Sequence, residues 1–504
     1  MKYVVVLGDG MADYPVAELG GKTPLQAAKK PGMDFIAKNG VIGLAKTVPE
    51  SVQPGSDTAN LSALGFNPVE YYTGRAPIEA VSMGVRLGDA DVAFRCNLVS
   101  LSDEDRYEDK RMIDYSSDEI TSEEASVLIE AVNAELLGAI NVTGGTGGRS
   151  DSSSGGDGGG RSGSDISSGG DGGGSSSISV SGDGGQNIGL TDEILFYPGI
   201  SYRHCMVWKG GGGGAVCIPP HDILTKRIGD YLPAGARANG AGTGDSSDAD
   251  AKVLRALMRD SYDFLSAQKV NRDRIARGLL PANSLWLWGQ GKRLTLASFY
   301  DKYKLSGAVI SAVDLIKGIG ISAGLRSIDV EGATGTVNTN YKGKAEAALK
   351  ALDEGCDFVF IHIEAPDECG HRNEIDNKVK SIEYIDEYIV CRILSELGKR
   401  EEGFSIMVLP DHPTPLSLRT HTRDPVPFAI YNSTAPGGGA SAYSGGCGVD
   451  GVGSGGDSSA GVPFTASAYD EAEAAKSGLY IDPGHKLMDY FINGAGVKMA
   501  SDDS

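Results

Sequence analysis

Three aspartates, Asp9, Asp367 and Asp411, each follow closely on an apolar run. KYVVVLG at 2–8 leads into GDGM, FVFIHI at 358–363 leads into EAPDECGH, and FSIMVL at 404–409 leads into PDHPTP. The second and third segments also carry His371 and His412, and RTHTRDPVP just beyond adds His421. Aspartate and histidine together are ligands for divalent ions. They suit manganese or zinc, and magnesium less readily, because imidazole is softer than the oxygen ligands magnesium prefers. Three carboxylates and three imidazoles are too many for one ion and fit two, which in such sites lie about 3.5–4 Å apart. Three of the seven histidines of the chain fall in this set. Any one of them alone is explained as a capping or core histidine, but the set is not.

A hydroxyl stands beside these segments in type. PGSDTAN at 54–60 puts Ser56 after a Pro-Gly turn and at the start of a small-residue helix, TANLSALG. The commonplace role of such a serine is to cap the helix. Next to metal ligands it has a second role, because coordination to a cation makes a hydroxyl nucleophilic near neutral pH, and helix N–H groups face an anionic substrate.

The elements that must position these residues are legible as strands and helices. The apolar runs read as strands buried on both faces, and KAEAALKALDEG at 344–355 and the stretch 377–400 read as helices between them. Strands alternating with helices predict an α/β, doubly wound, mostly parallel sheet, whose ligands bind outside the carboxyl ends of the strands. The middle of the chain differs: DVAFRCNLVSL at 91–101, ILFYPGISYRHCMVW at 194–208 and a helical stretch at 249–268 predict an inserted α+β unit. The expected division is 1–80 with 305–504 for the metal-binding part and 81–304 for the insert. At 504 residues the chain is long enough for two cores. Four Gly-, Ser- and Asp-rich stretches, 144–187, 209–215, 233–250 and 435–461, lack the apolar content to offset ordering entropy and are expected to be disordered surface insertions.

Composition excludes several classes. A net charge of -21 argues against nucleic acid and anionic membranes as partners. No run approaches the ~20 apolar residues of a membrane span. The N-terminus has no secretory pattern and the seven cysteines form no CxxC pair, so a cytoplasmic protein with reduced thiols is expected. An acidic chain acting on an anion needs local positive charge, which two cations supply.

GDGMAD, PGSDTANLSALG, APDECGH and DHPTPLSLRTHTRDPVP together resemble the cofactor-independent phosphoglycerate mutases of the archaeal type, in the alkaline phosphatase superfamily. The resemblance implies that Asp9, Ser56, Asp411 and His412 bind one divalent ion and that Asp367, His371 and His421 bind the other. Manganese is the first expectation, with zinc, magnesium or cobalt as alternatives. It implies that Ser56 becomes phosphoserine as 3- and 2-phosphoglycerate interconvert without 2,3-bisphosphoglycerate, that an alkaline-phosphatase-like domain carries the metals, and that the insert is a substrate-binding lid. Lys317 resembles the family's lysine near the transferring phosphate. Arg95, Asn97, Arg203 and His204 are candidates for holding the carboxylate and phosphate oxygens, the arginines by their bidentate fork; Arg75 is a weaker one. His362 reads as a residue beneath the site, and Trp286 and Trp288 as packing. The third position of DHPTP is proline where many members have serine. That variant resembles a subgroup described as a proposed homoserine kinase, which keeps a homoserine phosphotransferase, or a phosphatase of the same superfamily, as alternatives.

Overall fold

The structure is a computed structural model and describes residues 1–137, 178–181, 187–190, 194–235, 245–435 and 465–494. Contacts divide the chain into two compact units, Met1–Tyr72 with Leu294–Ser504, and Thr73–Arg293.

The first unit is built on an eight-stranded sheet. Its strands lie in the order Arg326–Ile328, Gly307–Ile310, Phe358–Ile363, Lys2–Gly8, Phe404–Leu409, Val426–Asn432, Val41–Ala45 and Tyr480–Ile481. Pairing is parallel except where Val426–Asn432 runs antiparallel to both neighbours. The three apolar runs occupy the centre and are buried on both faces, as a sheet covered by helices on each side requires. Val4, Val6, Ile361 and Ile406 join one core with the helices Pro31–Asn39, Tyr341–Asp353 and Ile375–Ile385. On the opposite face Val309 meets the helix Asp314–Ser322 at Gly320, where a Cβ would lie 2.4 Å from the valine.

Register determines what the strands deliver. Gly8 pairs with Ile363 and Leu7 with Leu409, so Asp9, Glu364 and Asp411 leave the same edge of the sheet almost level. Gly10 turns the chain at once (φ +58°), and a Cβ there would stand 2.6 Å from Asp367 Oδ1, so only glycine lets the two loops approach this closely. The helix expected over 377–400 is a continuous rod with a π turn at Asp386–Val390. Asp386 accepts the N–H groups of Gly32 (3.0 Å) and Met33 (2.6 Å), capping the neighbouring helix.

The second unit is an antiparallel sheet ordered Ser284–Lys292, Val92–Leu101, Arg203–Trp208 and Ile194–Tyr197, with Met112–Asp114 on the end of Val92–Leu101. Alternate residues face two cores. Ala93, Cys205 and Val207 pack on Ala76 and Ala80 of the helix Arg75–Ser82, while Phe94, Cys96 and Met206 pack toward Leu254 and Leu257 of the helix Asp245–Ser266.

Two expectations need correction. The divisions fall at 72/73 and 293/294, because Arg75–Ser82 packs on the small sheet, and Phe299 of the helix Phe299–Tyr303 stacks on Phe358 of the large one (4.4 Å). The glycine run 209–215 is not a loose insertion. Its N–H groups donate to carboxylates, Gly210 to Asp91 (3.3 Å) and Gly214 to Asp250 (3.4 Å). Ala234–Gly235 then pairs with Ala215–Val216, and 245–250 open the helix Asp245–Ser266. Of 144–187, only Ile178–Ser181 and Asn187 are described, in a strand pair with Asn187–Leu190. The rest of that stretch, 236–244 and 436–461 lie outside the described residues.

Arg274 locks the second unit. It is 1% exposed, donates to the carbonyls of Leu280 (2.9 Å) and Ser117, and pairs with Glu124. Ser117, Asp118 and Glu119 are three successive left-handed residues (φ 52°, 53°, 50°), each of which costs about 1–2 kcal/mol; Arg274 holds the first of them by its carbonyl, and the Leu280 N–H donates to Asp118 Oδ2 (2.7 Å). Arg274→Leu is expected to lower stability by roughly 3 kcal/mol, because it leaves buried acceptors without donors. A urea melt should show a reduced midpoint while metal uptake by the purified protein stays unchanged.

Candidate active site

All the metal-ligand candidates belong to the first unit and converge at the carboxyl edge of its sheet. Ser56 is the first residue of the helix Ser56–Ala63, not its cap: Gly55 holds the cap position and no side chain caps the helix. The hydroxyl is therefore free of the role that most serines at helix starts perform, and Ser56 Oγ lies 3.3 Å from His412 Nε2.

Distances about His412 Nε2 define a first cluster. Ser56 Oγ is at 3.3 Å, Asp411 Oδ2 at 3.4 Å and Asp9 Oδ1 at 3.6 Å. Ligands held about 2.0–2.2 Å from a tetrahedral ion stand about 3.3–3.6 Å from one another. Asp9 Oδ1 is fully buried and has no hydrogen-bond partner, as expected of an oxygen meant for a cation. The second cluster is Asp367, His371 and His421. His371 Nε2 lies 3.1 Å from Asp367 Oδ2, His421 Nε2 3.4 Å from Asp367 Oδ1, and the two Nε2 atoms are 2.9 Å apart. His371 Nδ1 donates to the Arg419 carbonyl (3.0 Å), which leaves the Nε2 lone pair directed inward. Asp9, Asp367 and His412 also present atoms within 4.8 Å of one another, so the clusters adjoin.

The charge balance says the same. Burial, then the nearby Asp411, Glu364 and Asp367, push the Asp9 carboxyl well above its usual range. Glu364 is pushed up to about 7 by burial and by Asp367. Burial alone would raise Asp367, but the imidazoles of His371 and His421 outweigh it and hold Asp367 well below the carboxylate range, while His371 rises to about 9 through its bond to Asp367. Four carboxyl groups crowded into a water-poor recess require positive charge. The donor set of carboxylate, imidazole and hydroxyl fits two divalent ions.

Several residues that build this arrangement were not singled out from sequence. Asn60 donates to Asp411 Oδ2 (2.8 Å); it lies one turn after Ser56, so helical spacing could have found it. Thr47 donates to the Asp411 carbonyl. Glu364, one residue past its strand, has a buried oxygen without a hydrogen-bond partner. Thr414, inside DHPTP, donates to Asp367 Oδ1. His362 lies beneath the site, its Nε2 2.9 Å from Asp9 Oδ2 and its Nδ1 3.2 Å from Ser311 Oγ. Lys317 pairs with Asp329 (2.7 Å) and stands 3.8 Å from Asp314, near enough to Lys344 to disfavour that lysine's charge.

The substrate-binding candidates belong to the second unit, and the structure separates them. Arg95 lies over Trp288 (4.1 Å to the ring) and pairs with Glu79 (2.8 Å), which also takes Arg75 (2.9 Å). Exposed Arg203 covers Tyr202 (4.4 Å) and is close enough to Glu79 to stabilise its charge. Glu79 thus faces all three arginines. Asn97 is not available: its amide donates to the Tyr115 carbonyl (3.0 Å) and its oxygen accepts from Trp288 Nε1 (2.9 Å). His204 is also misplaced. It pairs in register with Cys96, on the face opposite Arg95 and Asn97, where it is buried, accepts the Gly199 N–H (3.0 Å) and is pushed down to about 3 by burial. Arg75, ranked low from sequence, is the more apt member.

Among the described residues no helix is long and apolar enough to cross a membrane. Comparison with known proteins gives a consistent result. A family described as the metalloenzyme superfamily matches residues 1–447. A protein of Methanosarcina barkeri, named 2,3-bisphosphoglycerate-independent phosphoglycerate mutase, is 46% identical over 86% of this chain and 91% of its own. One of Geobacter sulfurreducens, named as a probable enzyme of that kind, is 42% identical over 98% of this chain and 100% of its own. Among solved structures, a protein of Pyrococcus horikoshii has a TM-score of 0.65 at 24% identity, covering 98% of this chain and 96% of that one. The cofactor-independent phosphoglycerate mutase of Thermoplasma acidophilum has a TM-score of 0.53 at 22% identity, covering 98% and 100%; both structures share the fold. A family match over most of the length and relatives at this identity place the chain in the metalloenzyme superfamily, where it belongs to the 2,3-bisphosphoglycerate-independent phosphoglycerate mutases.

Proposed function

We propose that the protein interconverts 3- and 2-phosphoglycerate through a phosphoserine on Ser56, with two divalent cations, manganese foremost, and that it works in the cytoplasm. The observation that carries this reading is the uncapped Ser56 hydroxyl set 3.3 Å from His412 Nε2, an imidazole that itself lies 3.6 Å from Asp9 Oδ1 and 3.4 Å from Asp411 Oδ2. Asp9, Ser56, Asp411 and His412 would hold one cation, and Asp367, His371 and His421 the other. When bound, these ions would lower the pKa of the Ser56 hydroxyl and neutralise phosphate charge.

Ser56 Oγ attacks phosphorus in line, and the bond from phosphorus to the 3-oxygen of glycerate breaks. The serine proton passes in net to the departing oxygen. The glycerate reorients, its 2-hydroxyl attacks the phosphoserine, and Ser56 regains a proton, so the isomerisation balances. The N–H groups at the start of Ser56–Ala63 face the phosphate oxygens. Lys317 serves the same oxygens by leaving Asp329 for phosphate. Arg75, Arg95 and Arg203 suit the anionic groups of glycerate phosphate, with Trp288 and Tyr202 stacking their guanidinium planes.

Manganese-loaded protein should convert 3-phosphoglycerate to 2-phosphoglycerate in a bisphosphoglycerate-free assay. Turnover of homoserine with ATP, or net phosphate release, in place of this conversion would assign the site to another reaction. Ser56→Ala should lower kcat by roughly ten-thousand-fold or more while the circular dichroism spectrum is retained; an active Ser56→Ala enzyme would exclude the phosphoserine. Asp367→Asn should cost about one of the two metal equivalents by elemental analysis, and equal loss of both would contradict the division of ligands.

A further inference from the structure

We infer that Thr414 is a positioning residue that makes the two metal clusters one cooperative unit. The inference rests on the two-metal reading above and adds a residue that touches neither substrate nor ion. Every polar group of Thr414, which is wholly buried, is used. Its hydroxyl donates to Asp367 Oδ1, of the second cluster, and lies 3.3 Å from His412 Nδ1, of the first. A hydroxyl has one proton. With that proton on the carboxylate, the oxygen accepts from His412 Nδ1–H, and this bond fixes the tautomer that turns the His412 Nε2 lone pair toward Ser56, Asp9 and Asp411.

The backbone of Thr414 is anchored just as fully. Its N–H donates to the Ala12 carbonyl (3.3 Å), in the loop that carries Asp9. Its carbonyl accepts Lys378 Nζ (2.8 Å), and that fully buried ammonium pairs with Asp13 (2.7 Å), which in turn accepts the Leu416 N–H (3.1 Å). Glycine is what admits the residue: a Cβ on Gly10 would stand 2.5 Å from Thr414 Oγ1, and one on Gly370 would stand 2.5 Å from its carbonyl oxygen. Thr414 therefore joins the segments bearing Asp9, Asp367 and His412. A cation that draws Asp367 into place sets the hydroxyl and so the His412 ring, and the reverse coupling holds equally.

The test is manganese titration of the full-length protein by calorimetry, with elemental analysis of the loaded product. Wild type is expected to take up two equivalents. Thr414→Val, which removes only the hydroxyl at equal size, is expected to weaken both sites together by about 10- to 100-fold, and Thr414→Ser to restore them. Thr414→Ala serves in place of the valine variant should that protein be insoluble. Weakening of a single site, or failure of serine to restore binding, overturns the inference, as does a hydroxyl-free variant that loads both ions like wild type. Wild type that binds no second ion would instead overturn the two-metal reading itself.

Discussion

Carboxylate crowding at one edge of a parallel sheet is the constraint on which the rest depends. Parallel register sends Asp9, Glu364 and Asp411 out of neighbouring strands nearly level, and the first turn of the next helix adds Asp367. Burial, and after it the neighbouring carboxylates, raise the Asp9 and Glu364 carboxyl groups above their usual range. The fold meets this in two layers. Imidazoles of His371, His412 and His421 stand among the oxygens, ready to share a cation. Behind them, Lys344 on the His362 carbonyl and Lys378 on Asp13 bring positive charge into the sheet from below. The acidity of the whole chain is therefore no obstacle to an anionic substrate, since local charge is set by these partners.

The candidate ligands Asp9, Asp367 and Asp411 were legible as a group because each follows closely on a long apolar run that is buried on both faces. Ser56 was legible as a helix start, but whether it capped the helix depended on a single backbone position, Gly55, that no pattern reveals. Thr414, Asn60 and Glu364 escaped notice because each is a lone polar residue with an ordinary alternative. Asn60 matters through Asp411, 351 residues away, and Thr414 through Asp367, 47 residues away.

The second unit shows the opposite case. Arg203 and His204 are adjacent, and neighbours in a strand face opposite sides, so the two cannot share the arginine face. The alternation is already present in SYRHCMVW. Asn97 was lost for another reason: a buried amide between a tyrosine carbonyl and an indole N–H is held by partners that are distant in sequence. The glycine run at 209–215 reads as loose by composition and is held by two aspartates from separate elements.

The strand Lys2–Gly8 lies between Phe358–Ile363 and Phe404–Leu409, both of which come far later in the chain. On the ribosome its apolar backbone must wait, with both edges unpaired, for partners some 350 residues behind it, a span whose closure is entropically slow. The contiguous middle unit needs no such wait. Chain order thus makes the sheet edge that carries Asp9, Asp367 and Asp411 late to form, and leaves Lys2–Gly8 open to wrong pairing until its partners arrive.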